Sequence, residues 1–189
     1  MRLFLAVHLS EEIKTEIEKT LQFLKTLKAD VKWIEPQALH ITLKFLGDTD
    51  KSRVKGIIPM LEEIAAGSEP FSFTTGRLGA FPDLKTPKII FEDLSAGKNE
   101  LIALSKIIDE TLVKAAFKRE EKPFNPHITL GRYKGVENPE KLSEALINHN
   151  SAQIKQHVNT YFLMKSELVG NTPVYKDIAE FRLKAKNSL

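Results

Sequence analysis

The chain has 189 residues, 42% hydrophobic and 28% charged, with nine Gly, nine Pro and no Cys. That is length enough for a real core and too little compositional bias for a disordered segment, and the lack of cysteine excludes disulfides, thiolate nucleophiles and Cys-based zinc sites together. A formal charge of +3 and a pI near 8.9 permit an anionic partner, and suit a small phosphate-bearing one better than a long duplex, whose binders carry a stronger basic stripe.

RLFLAVH reads as a buried first strand. Its apolar run ends at His8 and acidic residues follow, which is too short for a secretory signal and lacks a cleavage pattern. No window approaches the roughly 20 apolar residues of a membrane span, so a soluble, cytoplasmic protein is expected. Ser10 offers a helix N-cap with Glu11 and Glu12 in the first turn, where the helix dipole favours acids. Apolar residues at Ile13, Ile17, Leu21, Leu24 and Leu27 carry this helix to about Lys28.

VKWIEP and LHITLKFLG read as short strands, the second closed by Gly47-Asp48, and a helix from about Lys51 to Ala66 stops at Gly67. FSFTTGRLGAF and PKIIFEDL form a hairpin across Pro82-Asp83 and Pro87. A helical period runs from Lys98 to about Phe117, and NPHITLGRY is a strand with Pro126 at its first position. A shorter helix around Pro139 to Ile147 precedes the strands VNTYFLMKSEL and VYKDIAEFRLK, joined by the turn-rich GNTP.

So many neighbouring strands exclude a doubly wound parallel sheet. The expectation is an α+β fold with mainly antiparallel sheet, residues 1–189 forming one unit. The tetrapeptide HITL occurs in corresponding places in its two halves, at His40 to Leu43 and His127 to Leu130. That hints at two pseudo-symmetric lobes.

In a strand His40 and Thr42 share one face while Ile41 and Leu43 share the other, and the same holds for His127, Thr129, Ile128 and Leu130. With Ile and Leu facing the core, His and Thr face a groove. Residues i and i+2 lie roughly 6.5–7 Å apart, a gap that a tetrahedral phosphate bridges with one hydrogen bond from each side. Two such strands surround a phosphate with two imidazoles and two hydroxyls. That set suits phosphodiester cleavage: one neutral histidine accepts a proton from water, a protonated one donates to the departing ribose oxygen, and the hydroxyls stabilise charge on the nonbridging oxygens. The competing reading is a pair of ordinary strands. A metal site is not expected, because two HxT segments supply no carboxylate or third ligand and HExxH is absent. His8, His149 and His157 have no partner spacing and are expected to be structural or solvent-facing. GxGxxG, Walker-type and GxSxG patterns are absent as well.

The ordered set of RLFLAVHLSEEIK, a Trp ahead of HITLKFLG, GAFPDLKTPKIIF, PFNPHITLGR and LMKSEL with PVY resembles the 2H phosphoesterase superfamily, and within it the RNA 2′,3′-cyclic phosphodiesterases once described as 2′-5′ RNA ligases. The resemblance implies a bilobed fold, two antiparallel sheets flanking a central cleft with helices outside. It implies metal- and cofactor-independent hydrolysis of a terminal 2′,3′-cyclic phosphate to a 2′-phosphomonoester. His40 is then the proton donor to the 3′ oxygen, His127 the base that activates water, and Thr42 and Thr129 hold the phosphate. Arg132 is similar to a basic residue common in the family, yet at i+5 from His127 it points to the opposite face unless a bulge intervenes. Ser166 and Tyr175 contact substrate or close a loop. Lys44 continues the His40 and Thr42 face, Phe124 stacks on a base or sits in the core, and Lys88 stands where the family more often has Arg.

The expected partners are RNA ends bearing a 2′,3′-cyclic phosphate, tRNA fragments among them, or small cyclic nucleotides, bound by a monomer. The alternatives are a 2′-5′ RNA ligase, chemically the reverse reaction, and a non-catalytic RNA-end binder, against which the intact His and Thr in both motifs argue.

Overall fold

A computed structural model describes residues 1–135, 139–170 and 172–184. Among these residues β1 (Arg2–His8) leads into α1 (Glu11–Thr26), followed by β2 (Val31–Trp33), a 3₁₀ turn (Pro36–Ala38) and β3 (His40–Asp48). Then come α2 (Lys51–Ala66), β4 (Phe71–Phe81), β5 (Ile89–Ala96), α3 (Lys98–Lys114), β6 (Ile128–Tyr133) and α4 (Pro139–Asn148). The chain closes with β7 (Lys155–Val158), β8 (Thr160–Val169) and β9 (Thr172–Arg182). A four-stranded sheet runs β3-β1-β8-β9 and a five-stranded one β2-β6-β5-β4-β7, with every pairing antiparallel. The expected α+β class with antiparallel sheets is borne out.

Local chemistry accounts for the helices. The Ser10 side chain accepts from the Ile13 N–H, and α1 buries the stripe Ile13, Ile17, Leu21 and Leu24. α2 is capped by Gly67. α3 ends at Lys114, three residues before the apolar period does, because Ala116 takes a left-handed φ of 61° and turns Phe117 back into the core. There the Arg53 guanidinium lies 3.9 Å above its ring. α2 packs on β9 and α3 on β3, while α4 lies against β4.

Two expectations are corrected here. VNTYFLMKSEL is not one strand: it breaks at Asn159, leaving β7 paired with β4 in one sheet and β8 between β1 and β9 in the other. The crossover joins the two sheets, and the buried alternation changes phase there, from Val158 on β7 to Tyr161 and Leu163 on β8. Pro126 precedes the strand by two residues, since β6 begins only at Ile128. Asn171 of the expected GNTP turn lies outside the described residues.

Register decides which side chains reach the cleft. Along β1 and β3 the partners are His8 with His40, Ala6 with Thr42, Leu5 with Lys44 and Phe4 with Phe45. Leu43 is therefore an extra residue on β3, and this bulge reverses the alternation beyond it. Lys44 turns inward, donating to Asp109 of α3 at 2.6 Å and to the Lys118 carbonyl at 2.9 Å, and Phe45 takes the cleft face. The expectation that Lys44 shares a face with His40 and Thr42 is thereby overturned.

Glu92 on β5 is buried on the side away from the cleft, and burial pushes its carboxyl up to about 8 despite a hydrogen bond with Thr75. The unfolded carboxyl titrates near 4.5, so the folded state holds the extra proton between these values and loses stability as pH rises from about 4.5 to 8. Glu92→Gln is expected to be more stable than wild type at pH 8 and to flatten that slope in urea unfolding. A variant with the wild-type slope would show that Glu92 is ionised in the fold.

Candidate active site

The two HITL segments meet where the sheets adjoin. β3 lies alongside β6, and the Ile34 N–H donates to the Leu130 carbonyl at 2.8 Å. His40 is the first residue of β3, and His127 sits one residue ahead of β6. Each imidazole is fixed by the same local device. His40 Nδ1 bonds the Ala38 carbonyl at 2.8 Å and His127 Nδ1 bonds the Asn125 carbonyl at 2.7 Å, in both cases two residues upstream. A carbonyl only accepts, so Nδ1 carries the hydrogen in both rings and Nε2 is left as the reactive nitrogen.

Aromatic side chains hold the rings from the side. His40 lies 4.9 Å from the Phe4 ring and edge-on to Tyr175 at 5.2 Å. His127 is edge-on to Phe81 at 5.0 Å and to Phe91 at 5.5 Å. Phe81 and Phe91 stack at 4.2 Å. Gly79, opposite Phe91 in the β4–β5 ladder, makes this stack possible, because a Cβ there would come within 2.7 Å of the Phe91 ring. Thr42 and Thr129, two residues beyond each histidine, are half-buried on the same face as their histidine.

These walls set the protonation of the site. Burial lowers His40 to about 4, partly opposed by the Ala38 carbonyl, and the fields of His8 and His127 lower it further. Burial also lowers His127, but the Asn125 carbonyl and the Asp93 carboxylate oppose it. The field of His127 reaches His40.

Arg132 joins the site through a second bulge. Ile90 pairs with Gly131 but Phe91 with Thr129, so one extra residue on β6 brings Arg132 back to the face of Thr129. Its charge, with that of Arg2, is felt at the Tyr175 hydroxyl, where burial raises the pKa and the two guanidiniums pull it down. Ser166 pairs directly with both Tyr175 and Arg2 and so faces the cleft from β8. Phe124 packs against the core, Lys88 is exposed and fixed through its backbone to Phe81 and Tyr133, and His149 lies between α1 and α4, bonded to Thr20 at 3.1 Å.

Sequence reasoning missed Phe4, Phe81, Phe91, Arg2 and above all His8. His8 is not peripheral: it stands directly opposite His40 in the β1–β3 ladder, its Nε2 lies 3.0 Å from both Asp177 oxygens, and its ring rests on Phe162 at 4.1 Å. Its alternation with Phe4 and Ala6 along β1 was the available signal. Among the described residues no three His, Asp or Glu side chains converge as a metal would require, and no helix is long and apolar enough to cross a membrane.

The model of the 2′-5′ RNA ligase superfamily matches residues 9–169. The chain belongs to that superfamily. It is 33% identical over 185 residues to an RNA 2′,3′-cyclic phosphodiesterase of Methanothermobacter thermautotrophicus, covering 97% of this chain and 99% of that one. It is 34% identical over 185 residues to a protein of the same name from Methanocaldococcus jannaschii, covering 96% and 100%. A crystal structure from Thermus thermophilus superposes with a TM-score of 0.81 at 25% identity over 99% of this chain and 100% of that one. Apo E. coli LigT superposes at 0.79 and 19% identity, over 97% and 98%, a likeness of fold. The expectation of a hydrolase in this superfamily is borne out by these relatives.

Imidazole titration by NMR is expected to place His40 near 4 and to find His127 lowered from the ordinary 6.5. The unfolded chain then takes up these protons first, so the site contributes stability above about 6.5 that is lost as pH falls toward 4. Inorganic phosphate is expected to raise both values, since an anion favours the imidazolium. A His40 titrating at 6.5 without ligand would overturn the desolvation argument.

Proposed function

We propose that this protein hydrolyses 2′,3′-cyclic phosphates at RNA ends to 2′-phosphomonoesters without a metal, using His40 and His127 as acid and base. The observation that carries the reading is the twin Nδ1–H bond to the carbonyl two residues upstream, which gives two imidazoles with the same tautomer and the same free Nε2. An acid and a base that exchange roles between the forward and reverse reactions need this equivalence.

Water attacks phosphorus as His127 Nε2 accepts its proton, the bond from phosphorus to the 3′ oxygen breaks, and His40 Nε2 supplies the proton that the leaving oxygen takes up. Thr42 and Thr129 donate to the nonbridging oxygens, and Arg132 adds charge at the cleft mouth. The two lobes act as one unit because each motif supplies half of the phosphate cradle.

In this assignment His40 must be charged to donate, although the free site holds it neutral at pH 7. The phosphate anion resolves this, since its field offsets the fields of His8 and His127 and lets a proton bind with the substrate. His127 has Asp93 as electrostatic support for its cation, and a pH profile on each single variant decides which imidazole donates.

The test is hydrolysis of an RNA oligonucleotide ending in a 2′,3′-cyclic phosphate, in EDTA, with identification of the phosphomonoester formed. Wild type is expected to give the 2′-phosphate, and His40→Ala and His127→Ala to lose roughly 10²–10⁴ in rate each. Thr42→Ala and Thr129→Ala are expected to lose about 10². Activity abolished by EDTA and restored by zinc or manganese would overturn the metal-free mechanism. An inert, well-folded wild type would shift the function to ligation or binding of RNA ends.

A further inference from the structure

A crevice of about 230 Å³ opens beside the histidine pair, lined by the end of β1 and by the crossover from β7 to β8. His8 and Phe162 belong both to this crevice and to the cleft face, and His157, Asn159 and Thr160 give it a polar rim. Gln156 holds the two walls together, accepting from the Ser10 N–H and donating to the His8 carbonyl, each at 2.8 Å. The shape is therefore braced before any ligand arrives.

We propose that this crevice is the base subsite, in which the nucleobase of the nucleotide carrying the cyclic phosphate lies against His8 and Phe162. This rests on the hydrolase reading for the identity of the ligand, while the subsite itself is carried by its own geometry. His8 and His40 are direct partners across two antiparallel strands, so their Cβ atoms are about 4.5–5.5 Å apart. A nucleotide with its phosphate at His40 thus reaches His8 with its next flat group.

Asp177 engages Nε2 of His8, and Nδ1 has no partner among the described residues. The imidazole is thereby held rigid against Phe162, forming an aromatic wall of the kind on which bases stack. Asn159 accepts from the Thr160 hydroxyl at 3.1 Å through Oδ1, leaving its NH₂ group for an acceptor on a base edge. His157 shares one ring nitrogen with the Ser72 hydroxyl at 3.3 Å and keeps the other. A flat apolar wall with donors and acceptors at its rim matches a nucleobase. A second phosphate is a poor match for this crevice, because the Asp177 carboxylate beside His8 repels an anion.

The test measures binding and turnover side by side. Wild type, His8→Ala and Asn159→Ala are titrated by calorimetry with the four nucleoside 2′-monophosphates and with inorganic phosphate, and assayed on the four 2′,3′-cyclic nucleoside monophosphates. Wild type is expected to bind the nucleotides roughly tenfold or more tightly than phosphate, the scale of one base-stacking contact. Both variants are expected to narrow that gap, and His8→Ala to raise KM by more than it lowers kcat. A gap that both variants keep, or no gap in wild type, overturns the subsite. A gap that the variants lose in a protein that opens no cyclic phosphate would sink the hydrolase and leave the base site standing. Should His8→Ala fail to fold, exposed Asn159 carries the same comparison.

Discussion

The site depends on two hydrogen bonds that involve no substrate, the donations from His40 and His127 Nδ1 to the carbonyls of Ala38 and Asn125. Without them each imidazole would exchange tautomers and swing about its side-chain bonds, and neither Nε2 would be reliably basic or reliably aimed. Both carbonyls belong to backbone just ahead of a strand, at the last residue of the 3₁₀ turn in one case and beside Pro126 in the other. The histidines are thus oriented by the entry of the chain into each sheet, and the sheet then places a threonine two residues on. The repeated tetrapeptide marks this shared geometry.

Bulges determine what else reaches the cleft. Leu43 is an extra residue on β3, which sends Lys44 inward to Asp109 and Phe45 outward; the extra residue on β6 returns Arg132 to the cleft side. A cation that strict alternation would have put on the cleft face instead ties β3 to α3. One that alternation would have pointed away stands near Tyr175. Gly131 permits the second bulge, since a Cβ there would lie 2.6 Å from Val31 and 2.8 Å from Trp33.

The periodic segments were legible in the sequence. α2 begins and ends where Lys51 and Gly67 put it, and the pairing of β4 with β5 follows from the turn residues between them. His40, Thr42, His127 and Thr129 were legible as a set because a two-residue period survives any error in the strand ends. The break at Asn159, both bulges and the place of His8 were not, because each depends on which strand lies alongside. Alternation along one strand shows that two faces exist, and only the partner strand shows which face is the cleft.

The apolar walls explain why the free site is neutral. Phe4, Tyr175, Phe81 and Phe91 exclude water from the imidazoles, which disfavours a lone positive charge and lowers His40 to about 4. The same exclusion strengthens every charge interaction once an anion is present, because the effective dielectric inside the cleft is far below that of water. A proton that costs free energy in the free protein would be stabilised by the phosphate of the proposed substrate, so protonation and anion binding would favour each other. The site need not hold a charged acid in waiting. In the proposed mechanism the anion that needs the acid brings the proton with it, and desolvation, which opposes the imidazolium in the free protein, then increases its attraction to the anion.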